Sequence, residues 1–514
     1  MYLIGMDLGT TNIKGLIFTT DGQIVASASR RTPTHYHGTE IADFLPEEFW
    51  TEVQAILRQL TASCPDPSAI RGIAFSSFGE TGVPLDAHGN PLAPAIAWFD
   101  HRVLDVVDKW RSRVDEREVF RITGMRISHV PSLGKILWEK CHTPEVFRQT
   151  RTWLFMSSYI VYRLTGEYRA DYSLASRSML FDVHRRTWSE RMCDLAGIPI
   201  AILPPVAPSG TPIGTIRPEV ASVLGLSPGV TVSLGGHDHL CGALSAGVRQ
   251  QGQLLNSSGT GDALFALIDP AQIDDRVFHG GVSYGCHVVG SQTYLLGGTH
   301  AAGRMVDWFL GNFYANTSVP KHRLYATMME RAAAAPIGSH GVIVLPHLRG
   351  SLTPHNDPVA KGAILGLRST HMLNDITRAL FEGLSMDVRL IVETYSELTG
   401  DPYSEMKYIG GGSRNPFWIQ MKADVLERRI LVSTIGENAS LGAALLAGMG
   451  CGLYRNADEA CAAAAAAEVE FIPNPTHSAV YREIYECVYR GLHHRMAEIN
   501  QDLESLQKRL AESR

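Results

Sequence analysis

The feature that most constrains the fold is a strand–turn–strand pattern that opens the chain and returns near its middle. An apolar run from Tyr2 to Met6 leads into Asp7-Leu-Gly-Thr-Thr, and a second apolar run follows from Gly15 to Phe18. A similar order, with the turn Gly259-Thr260-Gly261, follows Gln253-Leu-Leu-Asn. Two copies of one domain would give this pattern, because the strand–turn–strand motif would then recur near the start of each half.

The length of 514 residues is too great for one ordinary core and supports two large domains. We expect a first domain at 1–247 and a second at 248–454. The remaining residues, 455–514, have a helical period with many charges. They are predicted to form C-terminal helices that pack back onto the body.

Composition excludes several classes of partner. The net charge of −6 and a pI near 6.4 give no reason to expect nucleic acid or an acidic membrane surface. The N-terminus lacks the features of a signal peptide, and no apolar run is long enough to span a bilayer. The eight cysteines are scattered without a C-x-x-C pair, which is typical of reduced thiols. We therefore expect a cytoplasmic protein, and a homodimer is left open.

The first candidate for chemistry is the segment Asp7-Leu-Gly-Thr-Thr-Asn-Ile-Lys14. A carboxylate at the end of a buried strand can hold hydrated Mg²⁺, and the turn offers N–H groups, hydroxyls and a lysine to a polyphosphate. The segment is not a Walker loop, because it lacks the G-x-x-x-x-G-K-[ST] pattern. A simple hairpin turn would use the same residues, so both interpretations stay open at this point.

The second candidate is Gly235-Gly-His-Asp238-His239. Two glycines let the backbone approach a ligand closely and deliver an aspartate between two histidines. A polar loop is one alternative, and a His-x-His metal site at His237 and His239 is another. Because no further Cys or His ligands cluster nearby in sequence, an aspartate that serves as a base is preferred.

The third candidate is Tyr408-Ile-Gly-Gly-Gly-Ser-Arg-Asn415-Pro, which precedes a predicted helix at Phe417 to Glu427. A glycine run between a strand and a helix lets a flat ring lie on the backbone, and Asn415 offers it hydrogen bonds. A tight turn needed only for packing is the competing interpretation.

Several further motifs occur in an order that, taken together, resembles the FGGY carbohydrate kinases of the actin/hexokinase/Hsp70 superfamily. The likeness runs through nearly the whole sequence. The segments that carry it, besides the three above, are Pro94 to Arg102, Tyr162 to Glu167, Asp171 to Ser176, Asp357 to Leu367 and Ala379 to Glu382.

This resemblance implies an α/β fold with two ribonuclease-H-like (actin-like ATPase) domains and a cleft between them. It implies ATP and Mg²⁺ as cofactors and a small sugar or polyol as substrate. Asp238 matches the general base, and Asp7 together with Asp238 is expected at the metal. The residues expected at ATP are Thr10, Thr11, Lys14, Thr260, Gly261, Gly303, Gly411 and Asn415. Those expected at the sugar are Glu80, Trp98, Asp100 and His239.

The sugar itself is in doubt because the chain departs from the family near the expected pocket. Glu80-Thr81 is similar to the Glu-Thr of glycerol kinases, but no arginine precedes it, and the Met-His usual in xylulokinases is absent. A pocket of acids, histidine and one aromatic ring favours a neutral sugar, most simply a ketopentose such as xylulose. A polyol or gluconate is the alternative, and gluconate would favour arginine. The rival classes are a catalytically idle sugar sensor and a chaperone-like ATPase.

Overall fold

The structure is a computed structural model that describes residues 1–38, 41–315, 319–464 and 467–512. The chain forms two compact units, neither of them continuous in sequence. Unit 1 comprises Met1–Arg249, Ser283–Tyr294 and Glu437–Ala466, and unit 2 comprises Gln250–Val282, Leu295–Gly436 and Ala467–Arg514.

Unit 1 is built on a seven-stranded sheet. Its strands are β1 (Tyr2–Leu8), β2 (Asn12–Thr19), β3 (Ile24–Arg31), β4 (Ile70–Ser77), β5 (Pro212–Thr215), β6 (Thr231–Ser233) and β7 (Gly236–His237). The order across the sheet is β5-β6-β4-β1-β2-β3, and β7 also pairs with β4. The pairs β1–β2, β2–β3 and β5–β6 are antiparallel, whereas β4 is parallel to β1, β6 and β7. A tight turn at Asp21-Gly22, a residue pair typical of hairpins, joins β2 to β3.

Within unit 2 the sheet repeats this arrangement. Its strands are β8 (Leu254–Ser258), β9 (Asp262–Ile268), β10 (Thr293–Thr299), β11 (Glu405–Gly410), β12 (Arg429–Ser433) and β13 (Glu468–Phe471). Of β10, the residues from Leu295 onward belong to unit 2. They lie in the order β10-β9-β8-β11-β12-β13. As in unit 1, an antiparallel hairpin (β8–β9) is followed by two parallel neighbours and an antiparallel edge strand. The predicted repeat of one α/β domain is confirmed.

Amphipathic helices pack on the sheets through their apolar faces. The helix Pro46–Ser63 has proline at its first position, two glutamates in its first turn, and a fully buried face that includes Phe49 and Val53. The N-terminal proline and the spacing of the apolar residues predict a helix from Pro46 to Leu60 on sequence alone, and the structure confirms it. The other helices of unit 1 are Leu104–Arg111, Glu116–Thr123, Ser132–His142, Pro144–Gln149, Met156–Thr165, Tyr172–Ser176, Glu190–Ala196, Pro218–Leu224, Asp238–Ser245, Asn438–Gly450 and Ala457–Ala463. Those of unit 2 are Asp275–His279, Gly303–Phe313, Leu324–Ala334, Leu373–Thr399, Pro416–Leu426, Pro475–Ile484 and Leu492–Glu512.

The helix Asn438–Gly450 packs directly on β1 and β4. This contact needs glycine on the sheet, because a Cβ at Gly5 would overlap the carbonyl oxygen of Ser440, and one at Gly72 would lie 2.9 Å from that of Ala447. The helix therefore belongs to unit 1. The predicted boundaries at 247 and 454 had instead assigned it, by sequence position, to the second domain.

Candidate active site

The sheet of unit 1 gathers three functional segments at one edge. Asp7 stands opposite Ser76 in the parallel β1–β4 pair, and Ser76 stands opposite Gly236 in the β4–β7 pair. Parallel strands end at the same edge of a sheet, so the end of β1 and the segments that follow β4 and β7 bring Asp7, Glu80 and Asp238 to one side of it. The register of three strands thus assembles residues that lie far apart in sequence.

Asp7 has an unusual electrostatic environment. Burial and, to a lesser degree, the carboxylate of Asp238 raise its pKa to about 7, although the Ser76 hydroxyl and the Lys14 ammonium group act to lower it. The Ser76 hydroxyl donates to Asp7 Oδ1 at 3.1 Å. Two carboxylates that repel one another at a buried edge form a site that suits a cation.

Asp238 is the first residue of the helix Asp238–Ser245. Its Oδ1 accepts from the backbone N–H of His239 at 2.6 Å and lies 3.2 Å from His237 Nδ1. Burial acts to raise the pKa of Asp238, but His239, His237 and that N–H outweigh it and hold the pKa below its usual value. Asp238 is therefore ionised at neutral pH and able to accept a proton.

The histidines on either side of Asp238 differ in environment. Burial lowers the pKa of His237 to about 4, so its imidazole is neutral. The His237 and His239 rings are 5.5 Å apart. In the part of the chain that the structure describes, no group of three or more His, Cys, Asp or Glu side chains is arranged to hold a metal ion. The His-x-His alternative therefore gains no support from the geometry.

The first predicted phosphate loop is closed by a backbone hydrogen bond and is contacted by Trp98. The turn closes through a hydrogen bond from Gly9 N to Asn12 O at 3.2 Å. The indole N–H of Trp98 donates to the hydroxyl of Thr10 at 2.9 Å, and Thr11 is exposed. Trp98, predicted at the sugar, therefore lies next to the predicted phosphate loop.

Lys14 lies beside a carboxylate that the sequence analysis did not single out. Its ammonium group donates to both carboxylate oxygens of Glu437, at 3.0 and 2.9 Å, and both side chains are about one-third exposed. Glu437 immediately precedes the helix Asn438–Gly450. The packing of that helix on β1 and β4 explains how a residue 423 positions away reaches Lys14.

Glu80 is held by an arginine that sequence reasoning missed. It is buried with a positive φ of 67°, and its Oε1 accepts from Arg177 Nε at 2.7 Å. Burial acts to lower the pKa of Arg177, but Glu80 and Tyr294 outweigh it and raise the pKa. No arginine precedes Glu80 in sequence, yet one stands beside it in space. Arg177 directly follows the Asp171 to Ser176 motif, and that adjacency was the only available signal.

Asp100 and Lys135 hold the loop that carries Trp98. Asp100 is fully buried, and its carboxylate accepts from Ala42 N at 2.7 Å and from Arg102 N and Nε at 2.7 and 3.0 Å. The ammonium group of Lys135 donates to the carbonyl oxygen of Trp98 at 3.0 Å. These contacts give Asp100 a positioning role, and its predicted contact with sugar stays a prediction.

In unit 2, the second predicted phosphate loop is the turn between β8 and β9. Gly259 N donates to Gly261 O at 2.9 Å, and Arg304 N donates to Thr260 O at 3.0 Å. A Cβ at Gly303 would lie 2.8 Å from Gly259 O, so the helix Gly303–Phe313 begins directly against the turn. Thr260, Gly261 and Gly303, which were predicted at ATP, are brought together within this unit.

The glycine run after β11 lies beside the same turn. Gly410 has a φ of +93°, and a Cβ there would overlap the carbonyl oxygen of Ser258. Gly411 begins the short 3₁₀ turn that follows. Asn415 caps the helix Pro416–Leu426 by accepting from Trp418 N at 3.1 Å, and its amide donates to Tyr325 OH at 2.9 Å. Its side chain is therefore already engaged, and its contact with ATP stays a prediction.

Beneath both loops of unit 2 lies a buried ion pair that sequence reasoning did not find. Lys422 Nζ is 2.6 Å from Asp262 Oδ2, and both side chains are 0% exposed. Lys422 also donates to Asn256 Oδ1 and to Tyr408 OH, each at 3.2 Å. Burial acts to lower the pKa of Lys422, but Asp262 outweighs it and raises the pKa. The pair links the strands that flank the phosphate turn to the strand that leads into the glycine run.

Comparison with known proteins agrees with this arrangement. A xylulose kinase of Bacillus subtilis (strain 168) is 29% identical over 509 residues, which cover 99% of both chains. The solved gluconate kinase of Lactobacillus acidophilus has a TM-score of 0.89 and 26% identity, covering 98% of this chain and 99% of that one. The ligand-bound xylulose kinase of the same organism has a TM-score of 0.88, 26% identity and the same coverage. These neighbours confirm the predicted two-domain actin-like ATPase fold.

Among the residues that the structure describes, no helix is both long enough and apolar enough to cross a membrane.

Residues 2–245 match the N-terminal domain of the FGGY family of carbohydrate kinases, and residues 254–451 match its C-terminal domain. Both matches together span most of the chain, which rules out the chaperone-like alternative. The chain belongs to the FGGY family of carbohydrate kinases and is a sugar kinase.

Proposed function

We propose that this sugar kinase transfers the γ-phosphoryl group of ATP to a hydroxyl of a small neutral sugar, a ketopentose such as xylulose. The observation that carries the proposal is Asp238, an ionised carboxylate at the start of a helix, on the same sheet edge as Asp7. A kinase of this class needs a base, a place for the phosphates and little covalent chemistry from the protein.

The proposed reaction uses Asp238 as general base. The sugar hydroxyl oxygen bonds to the γ-phosphorus, the bond from that phosphorus to the β–γ bridging oxygen breaks, and ADP leaves. The hydroxyl proton passes to the Asp238 carboxylate. His239 N–H and His237 hold that carboxylate in place and ionised before the sugar arrives.

Asp7 and Asp238 would hold Mg²⁺. Burial and the neighbouring Asp238 carboxylate raise the pKa of Asp7, which supports a divalent ion as the group that would compensate its charge. Magnesium usually takes one or two carboxylates and completes its coordination with water and phosphate oxygens, so two protein ligands suffice. When bound, the ion neutralises charge on the transferring phosphoryl group.

Each unit contributes a set of groups to ATP in this proposal. In unit 1 these are the hydroxyls of Thr10 and Thr11 and the ammonium group of Lys14. In unit 2 they are the backbone of the Thr260-Gly261 turn, the start of the helix at Gly303, and the glycine run at Gly411. Backbone N–H groups in tight glycine turns and at helix starts favour phosphate oxygens.

The Glu80–Arg177 pair supports a neutral sugar over a sugar acid. The guanidinium group is paired with Glu80 at 2.7 Å, so its charge is already compensated. A carboxylate substrate would need an arginine that is free to bind it in bidentate fashion. Glu80 and His239 are instead suited to exchange hydrogen bonds with hydroxyl groups, whereas Trp98, whose N–H already donates to Thr10, can offer the sugar only its ring face. The relatives named xylulose kinase support the same choice, whereas the gluconate kinase relative gives the alternative.

The test is a coupled ADP-release assay over pentuloses, pentitols, hexuloses, glycerol, erythritol and gluconate. The proposal expects a ketopentose to give the highest kcat/KM. Asp238→Asn should lower kcat at least about 100-fold with little change in the KM for ATP. Asp108→Asn, which removes an exposed carboxylate of unit 1, is the matched control and should retain full turnover.

Three results would count against the proposal. If Asp238→Asn keeps more than about a tenth of wild-type turnover, Asp238 is not the base. If gluconate is the best substrate of the panel, the substrate assignment is wrong while the kinase assignment stands. Sugar binding without ADP release from any substrate would favour the idle sensor.

A further inference from the structure

The short helix Tyr172–Ser176 packs against β7, the strand that leads into Asp238. Asp171 caps this helix, because its Oδ1 accepts from Leu174 N at 3.0 Å. A helix of this length is not stable by itself, so its contacts with the rest of unit 1 hold it in place. Asp171 is 2% exposed and Ser173 is 0% exposed. Polar side chains buried to this degree require hydrogen-bond partners.

The hydroxyl of Ser173 joins Asp171 to the segment that carries the proposed base. Its oxygen accepts from the backbone N–H of His237 at 2.9 Å, and its hydrogen is donated to Asp171 Oδ1. A serine hydroxyl has a single hydrogen, so the bond to Asp171 directs a lone pair of the oxygen toward His237. His237 immediately precedes Asp238, the first residue of its helix. The hydrogen-bonded chain therefore ends at the backbone beside the base.

Asp171 has the protonation state that this arrangement requires. Burial raises the pKa of Asp171 to about 6, although the Ser173 hydroxyl and the Leu174 N–H act to lower it. The carboxylate is therefore ionised at neutral pH and can only accept hydrogen bonds. The thiols of Cys241 and Cys286 interact with this carboxylate, and burial raises the pKa of both. Both thiols are neutral, so neither brings a competing charge.

The backbone of β7 leaves room for the Ser173 hydroxyl. A Cβ at Gly236 would lie 2.9 Å from Ser173 Oγ and 2.4 Å from Val288 Cγ1, so a larger residue would have to displace one of them. The strand also pairs in parallel with β4. His237 is thus held by β4 and by Ser173, which restricts the position of Asp238.

We propose that Asp171 and Ser173 are positioning residues, which hold the backbone before Asp238 so that its carboxylate meets the attacking hydroxyl in a reactive geometry. The inference rests on the proposed function, because it gives these residues a role only if Asp238 is the base. A base must lie within hydrogen-bond distance of the proton that it takes, and a misplacement of about 1 Å can cost about 100-fold in rate. Because both side chains are buried, they should affect kcat and leave the KM values unchanged.

The test compares the steady-state kinetics of single and double variants on the best substrate of the panel. Ser173→Ala should lower kcat at least about tenfold and leave the KM for sugar and for ATP within about twofold of wild type. In an Asp238→Asn background the same substitution should change kcat less than about twofold, because the position of a residue that cannot take the proton no longer matters. Equal losses in both backgrounds, or a loss that appears only in KM, would overturn the proposal.

Ser176→Ala is the matched control. Ser176 lies on the same short helix, and its hydroxyl accepts from Cys286 N at 3.0 Å. The substitution therefore removes a comparable buried hydrogen bond, to a backbone segment that does not lead to Asp238. The thermal midpoints of Ser173→Ala and Ser176→Ala should fall by similar amounts, whereas Ser176→Ala should keep kcat within about twofold of wild type. If both substitutions lower kcat equally, the effect is one of general stability and the proposal is wrong.

Substitutions of Asp171 test its pairing with Ser173. Asp171→Asn keeps an oxygen that can cap the helix and accept from Ser173, and should keep kcat within about threefold of wild type. Asp171→Ala should lower kcat as much as Ser173→Ala, with no further loss when the two are combined. Additive losses, or an Asp171→Asn variant as slow as Asp171→Ala, would contradict the pairing. If circular dichroism shows that Asp171→Ala is unfolded, the Ser173→Ala and Asp238→Asn variants still decide the question.

The same variants separate this inference from the proposed function. If Asp238→Asn alone keeps more than about a tenth of wild-type turnover, the proposed base is wrong and the positioning role is refuted with it. If Asp238→Asn loses turnover as expected but Ser173→Ala does not, only the positioning role is refuted.

Discussion

Replacement of Lys422 by methionine isolates the contribution of the ion pair beneath the two loops of unit 2. Methionine has a similar length without charge, and its aliphatic chain can keep the contact with the Trp418 ring, whose centre is 4.5 Å from the lysine Nζ. Asp262 is then left without its partner at 2.6 Å in a fully buried position. The substitution therefore tests one charge with little change in packed volume.

Two estimates of the cost agree. Removal of one partner of a buried pair typically costs about 3–5 kcal/mol, because the other charge stays buried and unpaired. Asp262 can avoid this penalty by taking a proton. That uptake has a cost at pH 7, because pH 7 lies about three units above the usual pKa of an aspartate. At about 1.4 kcal/mol per unit, that route costs about 4 kcal/mol. We expect the free energy of opening of β8 and β9 to fall by about 4 kcal/mol at pH 7.

The cost should decrease in acid. A buried carboxylate without a partner favours its neutral form, so the variant should lose less stability as the pH falls. At pH 5 the protonation route costs only about 1.5 kcal/mol. Lys422→Met with Asp262→Asn removes both charges and should recover most of the loss at pH 7.

Hydrogen exchange of a peptide spanning 254–268, followed by mass spectrometry, measures this local free energy without assuming that the whole chain unfolds in one step. Lys407→Met removes the partly exposed pair with Glu468 on the same sheet and is the matched control, with an expected loss below about 1 kcal/mol. If Lys422→Met costs no more than this control, or the cost does not fall between pH 7 and pH 5, the reasoning is refuted. The KM for ATP should also rise in Lys422→Met, since the loops proposed to hold the nucleotide lose their support.

Three further predictions concern unit 1. Asp7→Ala should raise the Mg²⁺ concentration needed for half-maximal turnover. EDTA should abolish turnover, whereas a zinc-selective chelator should leave it unchanged. Loss of activity with the zinc-selective chelator would support the histidine metal site instead. Glu80→Gln should raise the KM for the sugar far more than the KM for ATP. Because it leaves the charge of Arg177 uncompensated, it should also raise kcat/KM for gluconate relative to the neutral sugars. An unchanged KM for the sugar would contradict the placement of Glu80 in the sugar pocket. Burial lowers the pKa of Lys135 to about 7, below its unfolded value, so the unfolded state binds more protons and stability should rise with pH above about 7. Lys135→Met should lack that rise in melts followed from pH 7 to 9, and an unchanged pH slope would exclude the effect.

The sequence by itself determined the local elements and the order of the chemistry. The apolar runs around Gly9-Thr10-Thr11 and Gly259-Thr260-Gly261 predicted two strand–turn–strand units, because alternation and turn residues act over a few positions. Asp7 could be selected because it stands at the end of an apolar run, and Asp238 because two glycines and two histidines surround it; the resemblance to the family supplied the role of Asp238. The amphipathic helix from Pro46 was predictable from its apolar spacing and its N-terminal proline.

The tertiary structure decided which charges meet. Arg177 lies 97 residues from Glu80, Lys422 lies 160 from Asp262, and Glu437 lies 423 from Lys14. Such partners are fixed by sheet register and by helix packing across the chain, neither of which leaves a local pattern in the sequence. The absence of arginine before Glu80 therefore suggested a pocket without one, whereas the fold supplies Arg177 from another segment. The roles of Asp100 and Asn415 were obscured for the same reason, because only the packed chain shows that their side chains already hold neighbouring backbone.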